Sequence, residues 1–452
     1  VSNGGRQRSS IFGGLLLILL GILFLLARFN PDLRMWHLFW RYWPVLIILW
    51  GIAKLIDNMS AHQAGQTRPP LLTGGEAALL VLVVFVLAGM GIYSRVREKM
   101  PDLNIDVGLF DHKATQSQEL GTKSIPAGSH LTVTSGRGSI TAHAGDSNDL
   151  SVSVEESAEG VTDVAAQDRL KSLKVVIEQT SDGYLVHPIN SEGSGEQITV
   201  DLDVTVPRKV SLTANSNHGD IHISGIAGPV TASTKSGNIE IHDAGSDVAA
   251  QLESGDARIA NVSGSVHLTG RGNEIEVNDV AGDATFEGEF FGPIHVRNVT
   301  KTTHYASQKA DLSLVHMTGR LELDSGEINV SDVDGPAKLS THDKDMEVEN
   351  VTGRLDITDT HGSIKVSCSQ PPRADINISN ESGEVDLTLP SDSKFEISAV
   401  SRSGQVQSDF EDPSLKQDNE NGTGKLTGKV GSQGPKIQIT TSYGAIYLHK
   451  FS

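Results

Sequence analysis

A pair of apolar residues flanking one polar position returns along much of this chain at a nearly fixed interval, and that period leaves few folds open. The pairs are Ile221/Ile223, Ile239/Ile241, Ala257/Ile259, Ile275/Val277, Ile294/Val296, Leu312/Leu314, Ile328/Val330, Met346/Val348, Ile364/Val366 and Val385/Leu387. Six of the nine steps are 18 residues; the others are 16, 19 and 21. Alternation of period two inside each unit predicts a strand, and a Gly two residues ahead of it, as at Gly219, Gly237 and Gly255, predicts a corner needing positive φ. A second apolar stretch follows in each unit, as in GPVTAST (228–234), GSVHLTG (264–270), GRLELDS (319–325) and GRLDITD (353–359).

Two strands this short cannot bury an apolar face alone, so successive units must stack, with parallel strands about 4.8 Å apart. The fold class expected is all-β, a single-stack parallel β-solenoid with coils of about 18 residues. The polar position of each pair then points outward and stacks on its neighbours. Read down the stack it gives His222, Glu240, Arg258, Glu276, His295, Ser313, Asn329, Glu347, Lys365 and Asp386, with no two carboxylates adjacent. Like charges opposite one another on paired strands repel, which is reason enough for the alternation without invoking a binding site.

The regular part runs over 216–452, with a flexible loop expected over 412–434 (DPSLKQDNENGTGKLTGKVGSQG). Residues 118–215 are less regular and are expected to cap one end: strands around 135–145, 150–156 and 198–207, and a short amphipathic helix over 162–174. A stack of coils needs such caps to protect its open strand edges.

The first hundred residues are a different material. All four Trp fall there, and 10 Lys/Arg against 4 Asp/Glu give it a net charge of +6; the remainder, with 27 Lys/Arg against 52 Asp/Glu, carries −25. After a tail at 1–10, three apolar runs (11–27, 39–56 and 77–93) each have the length to span a bilayer as a helix, and WHLFWRYW (36–43) places an aromatic belt between the first two. A cleaved leader would account for only one run. The lipid bilayer is therefore an expected partner, with a juxtamembrane linker over 95–117. Three spans put the two ends of the chain on opposite sides. The basic run SRVREK (94–99) leans the positive-inside count toward a cytoplasmic solenoid, whereas the Gly/Ser/Thr/Asn-rich surface favours the outside, which is the side expected here. A body this acidic excludes nucleic acid as a partner and favours cationic ones.

The hairpin with its second half WRYWPVLIILWGI (40–52) resembles the transmembrane region shared by LiaI and LiaF, bacterial membrane proteins of envelope-stress signalling, over about residues 11–57. The repeat over 118–452 resembles a bacterial adhesin-like, toast-rack-like β-solenoid family with a loose GxIxVxxVxGxV pattern, as at 219–230, 326–335 and 362–366. The two resemblances imply a multi-pass protein of the bacterial cytoplasmic membrane that senses or scaffolds, with membrane or envelope proteins, cationic peptides or wall polymers as partners. The alternatives are a surface adhesin or spacer, and a carbohydrate-active β-helix enzyme.

Enzymatic chemistry has little support in the residues. HExxH, CxxC, GxSxG and Walker patterns are absent, and GRGNEI (270–275) lies between strands with no helix to complete a phosphate cradle. Steps of 18 leave no long loops to wall a polysaccharide groove. No catalytic residue and no cofactor is expected. The one weak metal candidate is the turn THDKD, where His342, Asp343 and Asp345 cluster; a solvated corner is the simpler reading. Cys368 shares the inward parity of Ile364 and Val366, so it reads as a small core residue.

Overall fold

A computed structural model describes residues 112–451, apart from 161 and 191–197. The chain divides into two units, 1–107 and 108–452, and the described residues belong to the second. The three apolar runs expected to span a membrane lie outside the described residues.

The periodic pairs register as the alternation requires. Ile221, Ile239, Ala257, Ile275 and Ile294 are consecutive partners along one ladder of parallel strands, as are Ile328, Met346, Ile364 and Val385 further on. A second ladder forms the opposite face, with Val230, Val248, Val266 and Ala284 in register. The inward residues of both faces meet in one continuous apolar core; Ile221, Ile239, Val248 and Leu268 are at most 1% exposed. The core is why each strand alternates: a shift of one residue would turn every isoleucine to water.

Corners are built in two ways. Before the first face the chain turns on Gly, and at Gly237 (φ 145°) a Cβ would lie 2.3 Å from the Gly219 carbonyl oxygen of the coil beneath. That corner thus needs Gly for close stacking as well as for its backbone angle. After the first face the chain turns on Asp243, Asn261, Asp279, Asn298, Asp332 and Asn350, all with φ between 51° and 58°. Asn and Asp tolerate this left-handed conformation better than other residues with side chains. Asn261, Asn298 and Asn350 each donate an Nδ2–H to the Asp Oδ1 of the preceding corner, at 3.0, 2.6 and 3.0 Å.

The stack is not parallel throughout. Ile294–Ala306 runs along both faces and turns back at Ser307 into Ala310–Leu323, which is antiparallel to its neighbours on both sides. One coil is therefore inverted. Leu312 lies on the second face between Tyr305 and Leu339, Leu314 lies there between Thr303 and Ala337, and Leu321 and Leu323 fill the first-face positions instead. In physical terms, the Ser307–Lys309 connection carries no corner Gly, and the Ser307 Oγ closes a tight turn by accepting the Lys309 and Ala310 N–H groups. Glu322 accordingly replaces Ser313 in the outward column, between His295 and Asn329, and carboxylates remain non-adjacent.

Both ends are interleaved. The first coil, His130–Ser135 and Ile140–Gly145, lies between Gly183–Asn190/Ile198–Pro207 on one side and Ser211–His218/Ile221–Ser224 on the other. At the far end Lys436–Tyr443 and Ile446–Phe451 insert between Ile376–Ser382/Val385–Pro390 and Phe395–Ser403/Val406–Ser408. Antiparallel strands then close the ends: His112–Ser124 on Asp149–Gly160, Leu173–Gln179 on Gly183–Asn190, and Thr423–Val430 on Phe395–Ser403. The stretch 412–434, read from sequence as a flexible loop, contains the hairpin Lys416–Glu420/Thr423–Val430 that makes this last cap. The expected short helix spans Asp163–Ser172; the Thr162 hydroxyl caps it by accepting the Ala165 N–H, and Ala166 and Leu170 are buried.

Candidate functional site

Outward residues of the first face form a column of neutralised charge. The Glu240 carboxylate receives His222 Nδ1 at 2.9 Å from the coil beneath and His242 Nε2 at 2.8 Å from its own strand. These contacts, the His242 bond first, hold Glu240 below the ordinary glutamate range despite some opposing desolvation. Further along, Arg258 pairs with Glu276 at 3.6 Å and Lys365 with Glu347 at 2.6 Å. At the end of the column Asp386 differs: burial, with Glu384 adding to it, raises it above the ordinary aspartate range, and its Oδ1 has no hydrogen-bond partner.

The second face differs in kind. Its first outward column begins Thr132, Thr213, Thr231, Ala249 and His267, and the next column begins Thr134, Asn215, Ser233, Gln251 and Thr269. Apart from Ala249 and His267, this end of the second face presents hydroxyl and amide groups.

A third feature is internal and was missed in the sequence. Three residues before several corner glycines stands a buried polar residue whose side chain bonds a corner carbonyl: Ser216 to Gly138, Thr234 to Gly219, Asn380 to Gly362 and Ser401 to Gly444, at 2.6–3.1 Å. The signal, a Ser, Thr or Asn followed three residues later by Gly, was present in SNHG, TKSG, NESG and SRSG. In DTHG the residue is Asp359, which burial raises above the ordinary aspartate range although the Thr360 and Gly362 amides lie against it.

The turn THDKD does not gather its acidic groups. Asp345 Oδ1 is taken by the Ser363 N–H at 2.7 Å, His342 packs edge-on against His361 with centroids 5.7 Å apart, and Asp343 is exposed. Between them Lys344 is buried and donates from Nζ to the Asp324 and Ser325 carbonyls at 2.5 and 2.8 Å. A fixed ammonium there opposes a divalent cation. Among the described residues no three His, Cys, Asp or Glu side chains are disposed to hold a metal ion. Cys368 is 4% exposed, and burial pushes its thiol up to about 11.

With this geometry in hand, two families match the chain. The Toastrack DUF4097 family matches residues 128–269 and again 265–449, so that two copies run end to end through the whole stack. The chain belongs to the Toastrack DUF4097 family. Ahead of the Toastrack stack, residues 11–55 match the LiaI-LiaF-like transmembrane region. The protein thus joins a LiaI-LiaF-like transmembrane region to a Toastrack stack. Among the described residues no helix is long and apolar enough to cross a membrane.

Solved structures similar to the Toastrack chain include a candidate cell adhesion protein from Clostridium sporogenes ATCC 15579, with 11% identity over 74% of this chain and 100% of that one and a TM-score of 0.16. Candidate adhesins from Bacteroides fragilis NCTC 9343 (10% identity, 76% and 99% covered, TM-score 0.20) and Parabacteroides distasonis ATCC 8503 (9%, 75% and 98%, 0.21) are also similar. They add nothing to the family assignment. No curated protein matches.

Proposed function

We propose that this Toastrack chain is a non-enzymatic sensing or scaffolding partner in bacterial envelope-stress signalling, anchored in the cytoplasmic membrane with its solenoid outside the cytoplasm. The observation that carries the reading is the joining, in one chain, of a LiaI-LiaF-like transmembrane region to a Toastrack stack. The membrane segment would contact other membrane components of the system, and the solenoid would present its surface to an envelope protein, a cationic peptide or a wall polymer. Paired surface charges support a binding role: Glu240, Glu276 and Glu347 of the first-face column each have a basic neighbour, which suits recognition by charge pattern.

Deletion of the chain in a strain carrying an envelope-stress reporter tests this reading. The expected result is a shifted basal or induced reporter level, restored by the full chain and not by residues 1–100 alone. An unchanged reporter together with reduced surface attachment would favour the adhesin alternative instead.

A further inference from the structure

The inverted coil breaks the corner column, and the break leaves a cleft. In the regular stack a corner glycine sits directly on the carbonyl of the coil beneath, so no side chain has room there. Counting by 18 from Gly326 to Gly362, the intermediate corner position is Lys344. A side chain fits at this point because the coil beneath is closed by the turn Asp324–Ser325–Gly326 and not by a stacked corner. A Cβ at Gly326 would meet nothing within 4 Å. Lys344 uses the space to hold that turn by its two carbonyls.

Beside it a cleft of about 290 Å³ remains, floored by Ile294, Tyr305, Ala310 and Leu323, each at most 5% exposed. Phe290 and Phe291 line its mouth, and Phe291 is 71% exposed, the most exposed of the large apolar side chains among the described residues. The charged groups lining the cleft are Glu289, Asp324 and Asp343 against Lys309 and Lys344. Since Lys344 is buried and spent on backbone carbonyls, the rim exposed to a visitor carries Glu289, Asp324 and Asp343 against Lys309, and is acidic on balance. Burial draws the Lys344 ammonium below its ordinary range, with Asp343 opposing, as expected of a group enclosed beneath the rim.

We propose that this cleft is the anchoring site for a basic amphipathic peptide segment, taking one apolar side chain of the segment onto its floor while neighbouring Lys or Arg groups meet Glu289, Asp324 and Asp343. The volume lies at the lower limit of small-molecule pockets and suits a single anchor side chain. Phe291 at the mouth can cover the anchor or stack on an arginine. The charge of the rim decides against an anionic lipid or a nucleotide. This proposal rests on the binding role argued above and adds the place where binding occurs.

The test uses the full chain in zwitterionic nanodiscs, with empty nanodiscs as control, and two labelled ten-residue probes: one alternating Lys with Leu and Phe, the other alternating Lys with Ser. Wild type should bind the amphipathic probe at least tenfold more tightly than the Lys/Ser probe. Phe291→Ser should remove most of that preference, and Glu289→Gln with Asp343→Asn should weaken the amphipathic probe about tenfold. All three side chains are at the surface or partly exposed, and unchanged thermal melting should show that the variants fold. Equal affinity for both probes, or variants within twofold of wild type, would overturn the cleft while leaving general capture of cations standing. Binding of neither probe at low salt would overturn both readings.

Discussion

At the scale of the residue, neighbouring positions of one strand do opposite things. Ile239 is 1% exposed within the core, whereas Glu240 points out between two histidines. Ile239→Asp places an unpaired carboxylate in the core and should cost several kcal/mol, about 3–5 by analogy with other uncompensated buried charges. Glu240→Gln should cost only about 0–1 kcal/mol, since its partners are part-exposed. Thermal or urea unfolding measures both, and equal losses would contradict the assignment of the inward side. The pH dependence has a sign. Because the folded Glu240 lies below the ordinary value of 4.5, its contribution is present above that value and is lost as pH falls through the folded value. The gap between wild type and Glu240→Gln should therefore close in acid. Cys368 offers a second check: with its thiol near 11, only about one in a thousand molecules is thiolate at pH 8, and the group is buried as well. Alkylation at pH 8 should be slow in the native protein and fast in denaturant; rapid native labelling would contradict the packing.

At the scale of the element, much of the coil is legible in the amino-acid sequence alone. Apolar pairs such as Ile239/Ile241 give strand, face and register together, because a two-residue period over a buried core admits one solution. The Gly corners are legible too. The Asp/Asn corners are not, although Asn261 and Asp279 recur at the same interval, because polar turn residues satisfy many turn types and only the fold shows which are left-handed. The inverted coil is hidden for a related reason. Leu312/Leu314 and Leu321/Leu323 have the same pattern, and direction along a strand leaves no mark on alternation. Interleaving of the ends is a contact between distant residues and has no local signal at all. It carries a mechanical consequence. Loss of an ordinary terminal repeat removes one interface, but the last coil has neighbours on both sides, Ile376–Ser382 and Phe395–Ser403 for its first strand. Truncation after Gly434 should therefore disorder 395–434 together with the missing coil, lowering the unfolding midpoint and raising proteolysis across that whole stretch. Cleavage limited to the new terminus would contradict the interleaved order.

At the scale of the whole molecule, charge and anchoring act together. A body carrying −25 beyond residue 100 has a field that falls off over roughly 8 Å at physiological salt, so it should collect basic partners faster than neutral ones, more so at low salt. Such selection matters only where the partners are, which makes the side of the membrane the centre of the account. The measurement is protease digestion of intact spheroplasts, followed by an antibody against the stack. The account predicts that the solenoid is degraded while a cytoplasmic marker survives. Full protection of the solenoid until the membrane is opened with detergent would place it in the cytoplasm and contradict the account.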